Sequence, residues 1–211
     1  MNQKQAYTSE IIRRLERAYP NARIALNFSN PLELLVAVIL SAQSTDVGVN
    51  KLTTALFKRY RTAKDYAGAD VPELEGYIHS AGFYHNKAKS IIGAARTMIE
   101  RFGGHVPRTM VDIITLPGVA RKTGNIVLFN AYGIVEGIPV DTHVRRVSRR
   151  LGLSKEQDPE KIEKDLMVLV PKSKWGGFSY LFIDLGRDVC TARKARHEDC
   201  ALNDICPKLE A

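Results

Sequence analysis

The chain has 211 residues, 45% of them hydrophobic, which is enough for one large domain or two small lobes with shared packing. Its longest apolar run, residues 32–40, is interrupted by Glu33 and falls well short of the roughly 18 to 20 residues that span a bilayer. The opening segment is polar and lacks a secretory pattern, so we expect a cytosolic protein without a membrane partner. Its 31 Lys and Arg against 23 Asp and Glu give a net charge of +8, which attracts polyanions such as nucleic acid, although a merely soluble basic protein has the same charge.

Helical signals recur along the chain, whereas strand signals hardly appear. The clearest are Asn or Asp caps before an apolar helical stretch and Gly after a last turn, at Asn30-Pro31, from about Lys87 to Gly103, from Asp141 to Gly152, and at Asp158-Pro159. These signals predict about nine or ten helices joined by loops of ordinary length. An all-α protein is therefore expected.

A tight turn joins two of these helices. Thr109 opens a short helix with Asp112 placed for a capping box, and Pro117-Gly118-Val119-Ala120 then turns into the next helix. The backbone N–H groups of Gly118, Ala120 and the following helix start would point outward toward an anion such as phosphate. A plain hairpin of two helices has the same turn, so the turn alone does not decide between them.

Four segments, in this order, resemble the endonuclease III family of helix-hairpin-helix DNA glycosylases. They are Leu40 to Asp46, Gly82 to Ala88, Leu116 to Thr123 with Asp141 following 19 positions after Lys122 in Val140-Asp141-Thr142-His143, and Cys190 to Cys206. Two departures are Ala120, where a third hairpin glycine often sits and a negative φ is now required, and Gly124, which slightly weakens a helix start. Neither departure removes a reacting group.

The resemblance implies an all-α fold of two lobes. One lobe is expected at residues 23–135 and contains the helix-hairpin-helix. The second is expected to combine residues 1–22 with 136–211 and to carry an iron–sulfur loop at 190–206, with the active cleft between the lobes. We expect a monomer.

The resemblance also implies a chemistry that suits these side chains. A lysine amine can attack C1′ of a sugar and hold it as a Schiff base, after which loss of a sugar proton allows β-elimination of the 3′ phosphate. Lys122 is that nucleophile by resemblance, and a cationic neighbour such as Arg121 would help to keep its amine neutral. Asp141 would stabilise the positive charge that grows on the sugar and move protons. Outside this motif, Lys122 would be a solvated lysine and Asp141 an ordinary N-cap. For His143 a structural or phosphate-contacting role is expected.

Chemistry on a damaged base needs the nucleotide out of the stack, and the family resemblance assigns the filling of the gap to Gln43 and Phe83. Phe83 is larger than the aliphatic residue frequent there and can stack on bases, although a core phenylalanine at a helix end is an alternative. The basic segment Arg193 to Arg196 could hold phosphates or be a merely solvated run of charges. The remaining expected DNA contacts are Gly118, Ala120, Arg121, Thr123, His143, Arg193 and Lys194.

The implied function is a base-excision glycosylase with AP lyase activity, acting on oxidised pyrimidines or abasic sites in double-stranded DNA. Lys122 favours the bifunctional reaction, since related adenine glycosylases that rely on water usually lack a lysine there. Their catalytic Glu has no counterpart at residues 36–38, which are Val, Ala and Val. Two alternatives remain: a bifunctional glycosylase for an oxidised purine or alkylated base, and a non-catalytic DNA-binding module.

All three cysteines lie in the last 22 residues, and their odd number argues against a disulfide framework. The family pattern is four cysteines that hold a 4Fe-4S cluster, whereas this chain reads Cys190, His197, Cys200 and Cys206 at the same spacing. We expect a cluster held by three cysteines and His197, with a structural zinc site as the runner-up. In a third outcome His197 is not a ligand and the loop is loose or binds nothing. This would cost stability, because the closing residues have little hydrophobic core other than the metal site.

Overall fold

A computed structural model of the protein describes residues 2–209, and this part of the chain is helical, as the sequence predicts. It contains eleven α-helices and one short 3₁₀ helix, and an isolated antiparallel bridge joins Cys190 to Ala195. The described residues form two compact units, one of residues 25–136 and one that combines the residues through Ile24 with those from Gly137 onward. No helix in the described range is both long and apolar enough to cross a membrane.

The α-helices, labelled α1 to α11 in chain order, are Gln3–Ala18, Pro31–Ser41, Asp46–Arg59, Ala63–Ala67, Val71–Ile78, Tyr84–Phe102, Met110–Ile113, Arg121–Tyr132, Thr142–Arg150, Pro159–Leu169 and Trp175–Asp188. The expected count of about nine or ten helices is slightly below the eleven α-helices of the described residues; α7 begins after Thr109 as predicted, whereas α4 is only five residues long. So short a helix buries too little of a periodic face to stand out in a sequence.

The unit of residues 25–136 is built around α2. Seven consecutive residues of this helix, Leu34 to Leu40, are buried, as expected of a helix that is apolar all round. Helices α3, α6 and α8 pack against it, and α6 in turn packs against α4 and α5. The predicted start is confirmed, because the Asn30 side chain accepts a hydrogen bond from the Glu33 N–H and Pro31 is the first helical residue.

Helix α6 confirms one predicted end and corrects the other. Gly103 ends it with a φ of +60°, as predicted. The helix begins at Tyr84 rather than near Lys87, and its N-cap Phe83 makes no capping hydrogen bond through its side chain. An aromatic N-cap carries no local start signal, which is why the sequence predicts the start too late.

The other unit has a continuous apolar core from α1, α9, α10 and α11, in which Phe178 and Phe182 stack with ring centroids 4.2 Å apart. The predicted caps are present, since Asp141 precedes α9 and Asp158 with Pro159 begins α10. Leu202 of the C-terminal segment is fully buried in the same core. Leu202 thus gives the closing residues one buried anchor besides the expected ligands, while their other described side chains are exposed or half-buried.

Candidate functional site

The predicted hairpin is present between α7 and α8. The Val119 N–H donates to the Leu116 carbonyl at 3.1 Å, and Gly118 between them has a φ of +77°. A Cβ at Gly118 would lie 2.7 Å from the Cβ of Ser90 on α6, so glycine is required both by the backbone conformation and by the close approach. The exposed tip of the turn is thereby fixed against α6.

The start of α8 has the features of an anion site. Ala120 is its N-cap, with the expected negative φ of −90° and no side-chain capping bond. The first N–H groups of such a helix have no partner within the helix. Gly124, expected only to weaken the helix, has a packing role, because a Cβ there would lie 2.8 Å from the Met110 sulfur of α7.

The expected nucleophile lies in the first turn of α8. The Lys122 side chain is exposed, whereas its neighbours Arg121 and Thr123 are half-buried. Arg121 is held in place by a hydrogen bond from its guanidinium to the Glu136 carbonyl at 3.3 Å. The amine is thus exposed in the helical turn that directly follows the hairpin in the chain.

Two further loops of this unit carry Gln43 and Phe83. Both residues are in the left-handed region, with φ values of +54° and +59°, which L-residues with side chains rarely adopt. The loops lie side by side, since a Cβ at Gly82 would be 3.8 Å from the Gln43 carbonyl oxygen. Phe83 is 65% exposed, so the alternative of a core phenylalanine is wrong.

Asp141 and His143 belong to the other unit, at the start of α9. The Asp141 carboxylate accepts a hydrogen bond from the Val144 N–H at 2.7 Å and caps the helix. His143 is half-buried against Gly186 of α11, and this burial lowers its imidazole pKa. A neutral, packed imidazole fits the structural role for His143 better than a contact to phosphate.

The four expected metal ligands, Cys190, His197, Cys200 and Cys206, line one cavity of about 380 Å³. Each sulfur accepts a hydrogen bond of 3.4 Å, from the Arg150 guanidinium to Cys190, from the Leu202 N–H to Cys200 and from the Lys208 N–H to Cys206. Burial raises the pKa of the Cys200 and Cys206 thiols, so their thiolates need a cation nearby. Among the described residues no three His, Cys, Asp or Glu side chains converge closely enough to hold a single ion.

The segment that carries these ligands is tied to the rest of its unit. On α9, Arg146 donates to the carbonyls of Gly186 and Cys190 at 2.9 and 3.1 Å, and Arg150 donates to the Thr191 carbonyl at 2.7 Å. On α1, Arg14 forms an ion pair with Asp204, with a bond of 3.0 Å from its second nitrogen. Hydrogen bonds and an ion pair from arginine side chains, together with the buried Leu202, thus hold the segment in place.

The basic residues of this segment differ in whether ion pairs hold their charges. Arg193 and Lys194 are exposed. Arg196, by contrast, forms ion pairs with Asp188 at 3.4 Å and with Asp199 at 3.0 Å. The first two are therefore better placed for phosphate contacts than Arg196.

Sequence reasoning missed three residues that hold these loops: Lys87, Ser90 and Arg150. Lys87 is buried beneath the Gln43 loop, Ser90 lies under the hairpin, and Arg150 binds a cysteine sulfur. Only the position of Lys87, four residues after Phe83 and therefore on the same helix face, offered a signal. The contacts themselves join residues far apart in sequence.

Comparison with known proteins extends over almost the whole chain. A family model described as HhH-GPD superfamily base excision DNA repair protein matches residues 36–172. Endonuclease III of Synechocystis sp. is 51% identical over 100% of this chain and 96% of its own length. Two solved structures, a trapped endonuclease III–DNA covalent intermediate in an estranged-adenine complex and a non-covalent endonuclease III–DNA complex, are each 40% identical with TM-scores of 0.92 and 0.91. Each match covers 99% of this chain and 97% of the other.

Proposed function

Because this chain belongs to the HhH-GPD superfamily of base excision DNA repair proteins, and within it to the endonuclease III family, it is a DNA N-glycosylase and AP lyase, and we propose that Lys122 is its nucleophile. The observation that carries the proposal is the exposed Lys122 amine in the first turn of α8, directly behind the fixed hairpin. A relative of 40% identity has been trapped as a covalent intermediate with DNA, which an amine nucleophile accounts for.

The reaction follows from the groups available. The neutral Lys122 amine attacks C1′, the bond from C1′ to the base breaks, and the departing base takes up a proton. Loss of the proton on nitrogen and opening of the sugar ring give the Schiff base. A proton then leaves C2′ and the C3′–O bond breaks, so that the 3′ phosphate departs. Asp141 stabilises the positive charge that develops on the sugar during the first displacement.

Binding of DNA is assigned to groups near these residues. We propose that N–H groups of Gly118, Ala120 and the α8 start bind phosphate, with Arg121 and Thr123 beside them. Gln43 and Phe83 enter the space that the displaced nucleotide leaves, the amide by hydrogen bonding to the orphan base and the ring by stacking. Arg193 and Lys194 supply further phosphate contacts, whereas His143 is assigned to packing.

We propose oxidised pyrimidines in duplex DNA as the substrates. Helix α2 argues against the alternative of an adenine glycosylase that relies on water. Its residues 36–38 are apolar and buried and so offer no carboxylate for activating water. The only acid of that helix, Glu33, accepts a hydrogen bond from the Ser29 N–H at 2.6 Å beside the helix start. We also propose that the protein acts as a monomer on chromosomal DNA in the bacterial cytosol.

The ligand segment fits a 4Fe-4S cluster held by Cys190, Cys200, Cys206 and His197, and we propose this group over zinc. A tetrahedral zinc ion needs its donors to converge within bonds of roughly 2.0 to 2.3 Å. Ligands of a cluster bind different irons and stand farther apart, as donors spread around a cavity do. Hydrogen bonds to all three sulfurs suit thiolate ligands. When bound, the cluster would cross-link the segment and brace it against α9.

Borohydride trapping on a duplex with one abasic site tests the proposal. The wild-type protein should form a covalent adduct, and Lys122→Gln should bind the same duplex but form none, since the amide keeps the reach of the side chain without its nucleophilicity. Lys51→Gln, which removes an exposed lysine from α3, is the matched control and should trap normally.

Three results would redirect the proposal. Persistent trapping by Lys122→Gln would place the nucleophile elsewhere. Binding by the wild-type protein without trapping or strand cleavage would support the non-catalytic module. A panel of lesion-bearing duplexes separates the remaining alternative, because preference for an oxidised purine or an alkylated base would replace oxidised pyrimidine as the substrate.

A further inference from the structure

Lys87 is a charged residue in the interior of the unit of residues 25–136. It lies in the first turns of α6 and is only 6% exposed, which is rare for lysine unless the ammonium is paired. Its Nζ donates to the Leu40 carbonyl at 2.8 Å and to the Ser44 hydroxyl at 3.0 Å. Burial lowers the pKa of this ammonium, but a carbonyl at the end of α2 favours a positive charge beside it.

These two hydrogen bonds bracket the loop that carries Gln43. Leu40 lies in the last turn of α2, where carbonyls have no partner within the helix, and Ser44 lies just beyond Gln43. Gln43 has a φ of +54°, a conformation that persists only when its surroundings hold it. A second brace, from the Ser44 N–H to the Ser41 carbonyl at 3.1 Å, closes the loop locally. The ammonium therefore fixes both ends of a strained turn.

The same helix carries the neighbouring loop. Phe83 precedes Lys87 by four residues, which places the two on one face of α6. The Lys87 N–H also donates to the Phe83 carbonyl at 3.1 Å. The bond to Phe83 is a backbone bond of the helix, whereas the Lys87 side chain ties the Gln43 loop to that helix, and Gly82 approaches the Gln43 carbonyl closely, so the two loops meet above Lys87.

One helical turn farther along this face, α6 supports the hairpin. Ser90 lies beneath Gly118, and a Cβ at Gly93 would be 3.1 Å from the Pro117 ring. Lys87, Ser90 and Gly93 follow one another at three-residue spacing. The face of α6 is thus a common support for three loops to which the proposed function assigns DNA contacts.

We propose that Lys87 is a positioning residue for opening the damaged duplex, because its ammonium holds the Gln43 loop next to Phe83, in the arrangement that fills the vacated space. The inference rests on the proposed function, in which these two residues enter the duplex. Lys87 itself touches no DNA. Its contribution is to fix the Gln43 loop in its place beside Phe83 before binding, so that DNA does not have to order that loop.

The test compares Lys87→Met with the wild-type holoenzyme on two substrates. The first is a duplex with a base-paired oxidised pyrimidine, which must be opened; the second is a single strand with an abasic site, which needs no opening. Met keeps the length of the apolar stem but leaves the Leu40 carbonyl and Ser44 without their donor. We expect single-turnover excision on the duplex to fall at least tenfold, with cleavage of the single strand within twofold of wild type.

A fluorescent base reports the opening directly. 2-Aminopurine placed beside the lesion brightens when stacking is lost, and Lys87→Met should remove most of that increase while binding of undamaged duplex is retained. Lys89→Met, which changes an exposed lysine two residues along α6, should behave as wild type in both assays. A purely structural role would not separate the two substrates.

A double-mutant cycle links Lys87 to the loop it holds. If Lys87 acts through Gln43, then Lys87→Met should add less than twofold to the loss that Gln43→Ala already causes on the duplex substrate. Full additivity, equal losses on both substrates, or a normal fluorescence increase in Lys87→Met would each overturn the inference. Should Lys87→Met fail to fold, Ser44→Ala removes one of the two acceptors and should show the same substrate pattern with a smaller loss.

Failure of the proposed function gives a different pattern. If Gln43→Ala and Phe83→Ala both excise the paired lesion at the wild-type rate, the wedge assignment is wrong whatever Lys87→Met does, and the inference falls with it. If those variants lose activity on the duplex but Lys87→Met does not, only the positioning role of Lys87 is wrong.

Discussion

Asp141 has two roles that one substitution can separate, the cap of α9 and the proposed stabilisation of charge on the sugar. In Asp141→Asn the amide oxygen can still accept from the Val144 N–H, and asparagine is as good an N-cap as aspartate. The negative charge is lost. We therefore expect turnover on a lesion duplex to fall about 10²-fold or more, with DNA affinity changed little and the free energy of unfolding lowered by less than ~1 kcal/mol.

Asp158→Asn is the matched control, since Asp158 caps α10 in the same unit through the Glu160 and Lys161 N–H groups. Single-turnover kinetics and thermal unfolding of both variants give the comparison. If Asp141→Asn turns over as fast as Asp158→Asn, the carboxylate serves only as a cap. If Asp141→Asn loses much of its stability, its low activity would report unfolding instead of chemistry.

Two lysines of this chain show how far a residue can be understood from sequence. The motif around Lys122 points to it as the proposed nucleophile because the lysine and its hairpin are close together in the chain. Lys87 lies in the matching segment Gly82 to Ala88, but nothing in that segment shows its role, since its partner carbonyl is 47 residues away and its burial depends on how α6 packs against α2. Sequence therefore suggests a candidate for the reacting group more readily than it suggests the residues that hold the loops around it.

Helix ends were predicted well where a local group determines them. Asn30, Asp141 and Asp158 cap by hydrogen bonds to N–H groups two or three residues later, and such bonds depend on neighbours alone. The predicted capping box of α7 is half correct: the Thr109 hydroxyl accepts from the Asp112 N–H, but the Asp112 carboxylate accepts from that hydroxyl. The N-cap of α6, Phe83, offers no such group, and the sequence predicts the start of this helix about three residues too late.

The hairpin offers an element-scale test through Gly118. In Gly118→Ala the new methyl group meets Ser90 and the residue must keep a φ of +77°, so we expect the free energy of unfolding to fall by about 1–3 kcal/mol. The turn must also shift away from α6, and DNA affinity should fall more than this stability loss explains. Chemical denaturation and binding to an abasic-site duplex measure the two effects.

Gly133→Ala is the control for backbone strain alone, because Gly133 has a φ of +68° but nothing within 4 Å of an added Cβ. It should lose stability to a smaller degree and bind DNA normally. Equal DNA binding by Gly118→Ala and Gly133→Ala would mean that the hairpin does not contact the backbone of DNA.

The C-terminal segment gives a second test at this scale. Freshly purified protein should be brown, with broad absorption near ~400 nm and about four irons per chain. His197→Cys should keep the cluster and lower its reduction potential, because a thiolate adds negative charge that imidazole lacks. Glu198→Gln, beside the ligand, is the control and should leave both the colour and the potential as they are.

A colourless protein with one zinc would overturn the cluster in favour of the runner-up. If His197→Ala keeps four irons and the wild-type spectrum, then His197 is not a ligand. Because Leu202, Arg14 and Arg150 also anchor the segment, removal of the metal should lower the melting temperature without unfolding the helices of this unit.

At the scale of the whole molecule, the proposed functions are distributed over both units. The residues through Glu136 carry Lys122 and the loops of Gln43 and Phe83, whereas Asp141 and the ligand segment belong to the other unit. Under the proposed assignment each unit thus supplies residues to the reaction, and each has its own internal contacts. The net charge of the whole chain also favours DNA binding, since an excess of eight positive charges attracts DNA wherever the individual contacts lie.

Salt dependence measures how many of those charges meet phosphate. Each neutralised phosphate releases counterions, so the logarithm of the association constant should fall with the logarithm of salt concentration by about 0.9 per contact. Arg193→Ala combined with Lys194→Ala removes two exposed cations and should reduce this slope by about 2. Arg196→Ala in the same segment should reduce it by much less, because Asp188 and Asp199 already neutralise that guanidinium. Binding isotherms on one duplex at several salt concentrations measure these slopes. An unchanged slope in the double variant would show that Arg193 and Lys194 are merely solvated. A wild-type affinity that does not change with salt would contradict binding through phosphates altogether.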